Sequence, residues 1–343
     1  MNIEELTIPQ AIDDSPEAAA FVEMVRVRNE IEADTVGNYD LSFEAAELLP
    51  SYLRPQEPKR LLVARVDGRI VARAIYETEG DSSTTAWLAI EVLRDHRRQG
   101  IGSALYERLM QLGTTEGRTV YQTYVVQPSD DGPTLAAPTG FGSVPRDSAA
   151  TRFLLARGYS LEQVERMSRL GLPAPLPTVH ADGYHLVSWQ GRTPVEYLQA
   201  IADLRTGMQT DAPIAGLEPD TLPWTAERVR EDDDAEESSP RLRLTTVAVH
   251  TATGAAAGFT ELSVPPETSR PVSQEDTIVL RAHRGHRLGK VLKVENLRYL
   301  SAVSPGHPSV TTYNAEENRP MLSVNEELGF VPWGYEGAWK LVV

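Results

Sequence analysis

Arg94-Asp95-His96-Arg97-Arg98-Gln99-Gly100-Ile101-Gly102-Ser103-Ala104-Leu105 recurs in register as Arg281-Ala282-His283-Arg284-Gly285-His286-Arg287-Leu288-Gly289-Lys290-Val291-Leu292. Arg94 matches Arg281, His96 matches His283, Arg97 matches Arg284, Gly102 matches Gly289 and Leu105 matches Leu292, without a gap. Each copy follows an apolar run, Trp87-Leu88-Ala89-Ile90 with Val92-Leu93 in the first and Thr277-Ile278-Val279-Leu280 in the second, and each leads into a helical pattern. A strand, a basic glycine-containing turn and a helix start form an anion cradle, because unpaired amide N–H groups and the positive helix end converge on one spot. A phosphorylated ligand suits such a cradle.

The repeat extends outward. Gly68-Arg69-Ile70-Val71-Ala72 matches Gly254-Ala255-Ala256-Ala257-Gly258, and Arg157-Gly158-Tyr159 matches Leu328-Gly329-Phe330. A period of this length is a duplicated domain and not a solenoid unit. Gly171-Leu172-Pro173-Ala174-Pro175-Leu176-Pro177 favours an extended linker, since prolines at spacing two forbid a helix. The reading is therefore an N-terminal domain over 1–172, a linker over 173–180 and a C-terminal domain over 181–343.

Patterning predicts, in the first half, helices over 16–33 and 43–52 and a hairpin of 60–65 and 70–76 turning at Asp67-Gly68. A strand ending at Val92, a helix carrying Leu105, Leu109 and Leu112 and stopped by Gly113, and a strand over 119–126 follow. The second half repeats the order with strands over 184–189, 244–249, 258–264, 277–280 and 309–314 and helices over 194–208 and 289–303. Mixed strands with helices on both faces make an α+β architecture. From the loop glycine to the later one is 56 positions in the first copy (Gly102 to Gly158) and 40 in the second (Gly289 to Gly329). The extra residues fall in 128–146, a Pro/Gly-rich loop read either as a cover or as decoration. The acidic run 231–237 reads as a solvated or disordered loop, or else as a loop that attracts a basic ligand, and 331–339 as the closing C-terminal hairpin or else a substrate wall.

At 343 residues, 41% hydrophobic and 24% charged, the chain suits two soluble domains with full-sized cores. Cysteine is absent, which excludes disulfides, thiolate metal sites and a Cys nucleophile. The N-terminus lacks an apolar signal core and there is no long apolar run, so the expected address is the cytoplasm, with no membrane partner. A net charge of −16 argues against a nucleic-acid partner and fits a cationic substrate. The seven histidines form no ligand cluster, so no metal is expected.

Arg97-Arg98-Gln99-Gly100-Ile101-Gly102 resembles the signature of the GNAT superfamily of N-acetyltransferases: Arg or Gln, two residues, Gly, one residue, then Gly or Ala. With both copies counted, the chain resembles a tandem member, in layout similar to the mycothiol synthase branch. The resemblance implies two domains, each a mixed, mostly antiparallel twisted sheet flanked by helices. It implies acetyl-CoA as co-substrate, with its pyrophosphate on the backbone amides of the turn and its pantetheine arm along the preceding strand end. Carried over residue by residue, the cofactor-binding set is Val92, Leu93, Arg94, Arg97, Arg98, Gln99, Gly100, Ile101, Gly102 and Ser103. In the second copy it is Val279, Arg284, Arg287, Gly289 and Lys290, with Asn314 and Asn318. Gly100 is expected where backbone approaches phosphate, and Gly102 where the helix packs on its strand.

The second copy departs from the signature, with Arg287 where the first Gly belongs; its guanidinium either pairs with phosphate or fills the cradle. A Tyr common in the family four residues before the late Gly is replaced by Leu154 and Asn325, which removes the usual general acid from both halves and counts against mycothiol synthase itself. Glu91 and Glu261 are the candidate bases. Glu91 is expected to point outward by alternation, whereas Glu261 interrupts an inner strand. Asn318 either binds ligand or caps its helix. The implied activity is transfer of an acetyl group to a primary amine of a small, cationic molecule by a monomer or homodimer. The rival is an acyl-CoA-binding pseudoenzyme or sensor.

Overall fold

The computed structural model describes residues 1–79, 83–128, 131–219 and 222–343. In chain order its elements are β1 (Asn2–Leu6), α1 (Pro16–Val36), α2 (Ala45–Tyr52), β2 (Lys59–Val66), β3 (Arg69–Thr78), β4 (Thr85–Val92), α3 (Ile101–Thr115), β5 (Val120–Gln127), β6 (Thr134–Ala136), β7 (Ser143–Pro145), α4 (Ala149–Leu155) and β8 (Ser160–Gly171). There follow β9 (Tyr184–Gln190), α5 (Leu198–Asp211), α6 (Ala226–Glu237), β10 (Leu242–His250), β11 (Ala256–Val264), β12 (Val272–Val279), α7 (Leu288–Val303), β13 (Ser309–Ala315), α8 (Arg319–Leu328) and β14 (Val331–Val342). The order is the α+β repeat expected from the pattern, and among the described helices none is long and apolar enough to cross a membrane.

Contacts divide the chain into two compact units that are discontinuous in sequence. The first is Met1–Glu165 with Ile214–Asp220 and Gly334–Val343; the second is Arg166–Pro213 with Thr221–Trp333. A single cut at the Pro-rich linker does not reproduce this division, because a segment and the last strand from beyond the linker fold into the first unit.

In the first unit the strand order is β1-β2-β3-β4-β5-β14. Neighbours are antiparallel except β4 and β5. One sheet face packs Leu61, Val63 and Ile70 under α1 and α2 with Phe21, Met24 and Tyr52. The other packs Ala74, Leu88 and Tyr121 under α3 and α4 with Leu105, Leu109 and Leu154. The second unit has the order β13-β12-β11-β10-β9, again with one parallel pair, β12 and β13.

Four local expectations change. The helix does not stop at Gly113 but runs to Thr115; a Cβ at Gly113 would lie 2.3 Å from the Tyr121 hydroxyl, so this glycine serves close packing. The stretch 331–339 is part of one long strand, β14, whose later residues pair with β5 from Tyr335↔Gln127 to Val342↔Val120. The loop 128–146, apart from 129–130, which lie outside the described residues, carries the β6–β7 hairpin and buries Ala137 and Val144 in the first core. The acidic run 231–237 is the second half of helix α6, capped by Thr225. Asp232 and Asp233 turn inward onto Arg205 and Arg243, and paired countercharge makes their burial tolerable.

Candidate functional site

The parallel pair opens in each unit. Among the described residues β4 and β5 pair from Thr85↔Val120 to Trp87↔Gln122, and no pairing with β5 is found for Leu88–Val92. In the second unit β12 and β13 pair only at Val272↔Val310 and Ser273↔Thr311. Each opening exposes backbone N–H and C=O groups that an extended ligand arm is able to satisfy.

The cradle follows directly. A single 3₁₀ turn, Arg94–His96, leads through Arg97, in extended backbone, to Arg98 (φ 62°) and Gly100 (φ 82°) before α3 begins. Gly100 caps α3 with no side-chain bond, and the first intrahelical bond runs from Ala104 N–H to Gly100 O. The amides of Ile101, Gly102 and Ser103 therefore precede the ladder at the positive helix end. The second loop repeats this backbone: Arg284 extended, then Gly285 (φ 89°) and Arg287 (φ 58°), then α7. Each loop thus holds two left-handed positions, one Gly and one Arg, in opposite order. Arg287 keeps the fold of the loop although it replaces the signature Gly, but the Lys290 amide is already bonded to Arg287 O.

Side chains at the predicted cofactor positions divide between exposed and engaged. Arg97 Nε donates to Val92 O at 2.9 Å and Arg284 Nε to Val279 O at 3.1 Å. Leu93 N–H donates to Val71 O at 2.9 Å. Arg94 and Arg97 pair with Asp34, and Gln99 donates to Asp95 O. Ser103 Oγ accepts from Arg157 at 2.8 Å, and Lys290 pairs with Glu327 at 2.8 Å. Arg98 and Arg287 are exposed. A Cβ at Gly102 would meet Phe153 and Val92 at 3.6 and 3.7 Å, ordinary contact, and one at Gly289 would meet nothing, so helix packing does not require glycine at either. Asn318 caps α8 by accepting from Met321 N–H, while Asn314 accepts from Asn325 at 2.7 Å.

Of the two candidate bases, Glu91 does not point outward. It lies opposite Arg73 in the β3–β4 register and receives both a short bond from Arg73 Nε and one of 2.9 Å from Nη2, while Arg73 Nη1 donates to Tyr52. α1 and α2 cover this face, which alternation alone cannot reveal. Burial would raise the Glu91 carboxyl, but the guanidinium opposite outweighs it and holds the group low. Glu261 is buried, accepting from Thr245 at 3.0 Å and Arg205 at 3.2 Å. The two glutamates belong to different units.

Other groups gather on the same faces. In the first unit Trp87, Glu91 and, across the parallel pair, Tyr124 share the α1 side, where Tyr124 stacks on Trp87 at 5.3 Å. Glu336 of β14, opposite Val126, joins them. Burial, then the nearby carboxylates Glu165 and Glu32, push Glu336 well above the usual carboxylate range. Burial and then Glu91 raise Glu32. Burial with Glu165 and Glu336 also raises Tyr124, so its phenol keeps its proton at neutral pH. A cleft of about 610 Å³ adjoins the cradle, walled by Ile31, Asp34, Tyr39, Leu93, Arg94 and His96. In the second unit Asp276 lies on β12 beyond its paired stretch, and burial, then Glu261, raise it to about 7. Among the described residues no group of side chains is arranged to hold a metal ion.

The model of the Acetyltransferase (GNAT) family matches residues 24–131. This segment is a GNAT acetyltransferase domain. The tandem layout is matched by a tandem GNAT protein from the clavulanic acid biosynthesis pathway, with 26% identity over 99% of this chain and 98% of that one and a TM-score of 0.77. A GCN5-related N-acetyltransferase from Sphaerobacter thermophilus shares the fold at 17% identity, over 94% and 93% of the two chains, with a TM-score of 0.64. A putative acetyltransferase from Pyrococcus horikoshii does so at 11% identity, over 100% and 89%, with a TM-score of 0.57. No curated protein sequence matches the chain closely enough to count as a relative. The matched segment contains the first cradle and the parted strands, and its match supports acyl transfer in general.

Sequence reading missed Glu336, Glu32, Tyr124 and Asp276 for separate reasons. Glu336 reaches the first unit only through the last strand. Glu32 and Tyr124 carry no motif. Asp276 sits in Gln274-Glu275-Asp276-Thr277, where an acidic pair entering an inner strand was the available signal.

Asp276 gives a pH signature. A carboxyl raised in the folded state binds its proton more tightly there than when unfolded, so its contribution is fully present below the unfolded pKa of 3.8 and is lost as pH rises through about 7. Urea denaturation of wild type against Asp276→Asn is expected to show the wild type losing ground over this window by up to about 4 kcal/mol. Parallel pH profiles would remove Asp276 from the set of raised carboxyls.

Proposed function

We propose that the protein is an acetyl-CoA-dependent N-acetyltransferase acting on a primary amine of a small cationic molecule, with the first unit as the catalytic one. The observation that carries this is the conjunction, within one unit, of parted parallel strands, a cradle of three leading helix amides and a cluster of carboxylates on the α1 face. The cradle amides at 101–103 take the diphosphate, and the unpaired edge of β4 takes the pantetheine arm. Glu91 is paired with Arg73 and Glu32 with Arg28 at 3.7 Å, so Glu336 is the carboxylate of this face left to attract a cationic acceptor.

The chemistry follows from these groups. The amine nitrogen attacks the thioester carbonyl carbon, the new C–N bond forms and the C–S bond breaks. Glu336, whose pKa burial and the nearby Glu165 and Glu32 push well above the usual carboxylate range, takes the proton released by nitrogen. CoA leaves as a thiolate, which Tyr124 stabilises through its O–H. Glu91, held by Arg73, is not the proton acceptor.

In the second unit, the Arg at the cap position and the Lys290 amide already bonded favour a supporting or sensing role. A panel of polyamines, aminoglycosides and amino-acid amines, followed by CoA thiol release, tests the proposal. Release above thioester hydrolysis with at least one amine is expected; none across the panel would favour the acyl-CoA-binding, non-catalytic reading.

A further inference from the structure

The two loops share an anchor that the sequence repeat does not reveal. In the first unit Asp34, in the last turn of α1, pairs with Arg94 at 2.9 Å and with Arg97 at 3.2 Å. In the second unit Asp211, the last residue of α5, pairs with Arg281 and with Arg284, each at 2.7 Å. In both, the second arginine also donates its Nε to the carbonyl of the strand's final valine, Val92 or Val279. The corner between strand and cradle is therefore closed the same way twice. A helix-end carboxylate holds a guanidinium, and the guanidinium holds the strand end.

The spacing differs, 60 residues from Asp34 to Arg94 and 70 from Asp211 to Arg281. Identical partners across unequal spacing point to a shared constraint on the loop. The outer arginines, 76% and 74% exposed, contribute little. The inner ones are more sheltered and make two kinds of bond each, and the aspartates are only 23% and 10% exposed.

We propose that Asp34 and Asp211 are positioning residues that clamp Arg97 and Arg284 onto the strand ends and so hold each cradle in the shape that receives the diphosphate of acyl-CoA. The proposal rests on the acyl-CoA reading for its ligand, but the clamp has a signature of its own. The corner amides Leu93, His96 and Arg97 donate to Val71, Leu93 and Arg94 carbonyls, and Leu280, His283 and Arg284 donate to Ala257, Leu280 and Arg281. Their hydrogen exchange reports the corner without ligand.

Hydrogen exchange of ligand-free wild type, Asp34→Asn and Asp211→Asn is measured first, then calorimetric titration with acetyl-CoA. Asp34→Asn is expected to speed exchange at 93, 96 and 97 alone, and Asp211→Asn at 280, 283 and 284 alone. Asp34→Asn is also expected to weaken acetyl-CoA binding at the first loop about tenfold, with the loss in turnover falling on KM for acetyl-CoA more than on kcat. Unchanged corner exchange, faster exchange spread over a whole unit, or tighter acetyl-CoA binding in Asp34→Asn would each overturn the proposal. Wild-type protein that binds no acetyl-CoA overturns the acyl-CoA reading and the ligand half of the clamp, while the exchange data still decide whether the carboxylates hold the corners.

Discussion

Glu336→Gln is expected to lower kcat for the amine acceptor by about 10²–10⁴-fold, the range over which a positioned general base acts. Glu336 is half-buried on β14, in register with Val126 and on the face that carries Tyr124 and Glu91. Its pKa is raised by burial first and by Glu165 and Glu32 next. That combination makes the carboxylate a stronger base than an exposed one at its ordinary pKa. In wild type, activity should therefore rise with pH as Glu336 loses its proton, and the Gln variant should lack that limb. Gln keeps the shape and removes a like charge, so the fold should tolerate it. Steady-state kinetics against pH provides the check; a kcat within threefold of wild type with the limb intact would assign the proton to another group.

The largest stability effect is expected at Arg205. Its side chain is 6% exposed and donates to Asp232 at 2.8 Å and Glu261 at 3.2 Å, while its guanidinium lies 4.5 Å from the Trp224 ring centroid. Arg243 shares Asp232 at 2.9 Å and holds Asp233, which also accepts from Thr193. Arg205→Met keeps much of the stem packing but leaves Asp232, Glu261 and the nearby Asp276 to one guanidinium. Removing one partner of a buried ion pair costs about 3–5 kcal/mol, because uncompensated charge stays behind. Exchange rates of α5, α6 and β11 amides against denaturant measure this within the second unit. A loss under about 1 kcal/mol would mean that apolar packing, and not the ion network, holds α6 in place.

What could be read from sequence was whatever repeats locally. The strand-turn-helix phrase around Gly100 and Gly289 carries its own backbone requirements, so the cradle, its flanking strand and the α+β order followed from it. The helix at 231–237 was hidden because seven residues with six acids look solvated until Arg205 and Arg243, from α5 and β10, supply countercharge. Glu91 was misdirected because alternation says which face a side chain takes but not that α1 and α2 cover it. Glu336 was out of reach, since its neighbours Val126 and Tyr124 lie more than 200 positions away.

Calorimetric titration of the purified protein with acetyl-CoA, run beside Gly100→Glu, tests the central claim most directly. Gly100 holds φ at 82° at the head of α3, so Glu there introduces both backbone strain and a negative charge at the anion site. The account predicts saturable binding by wild type and loss of the first-loop site in Gly100→Glu. Failure of wild type to bind, or equal binding by the variant, would contradict it.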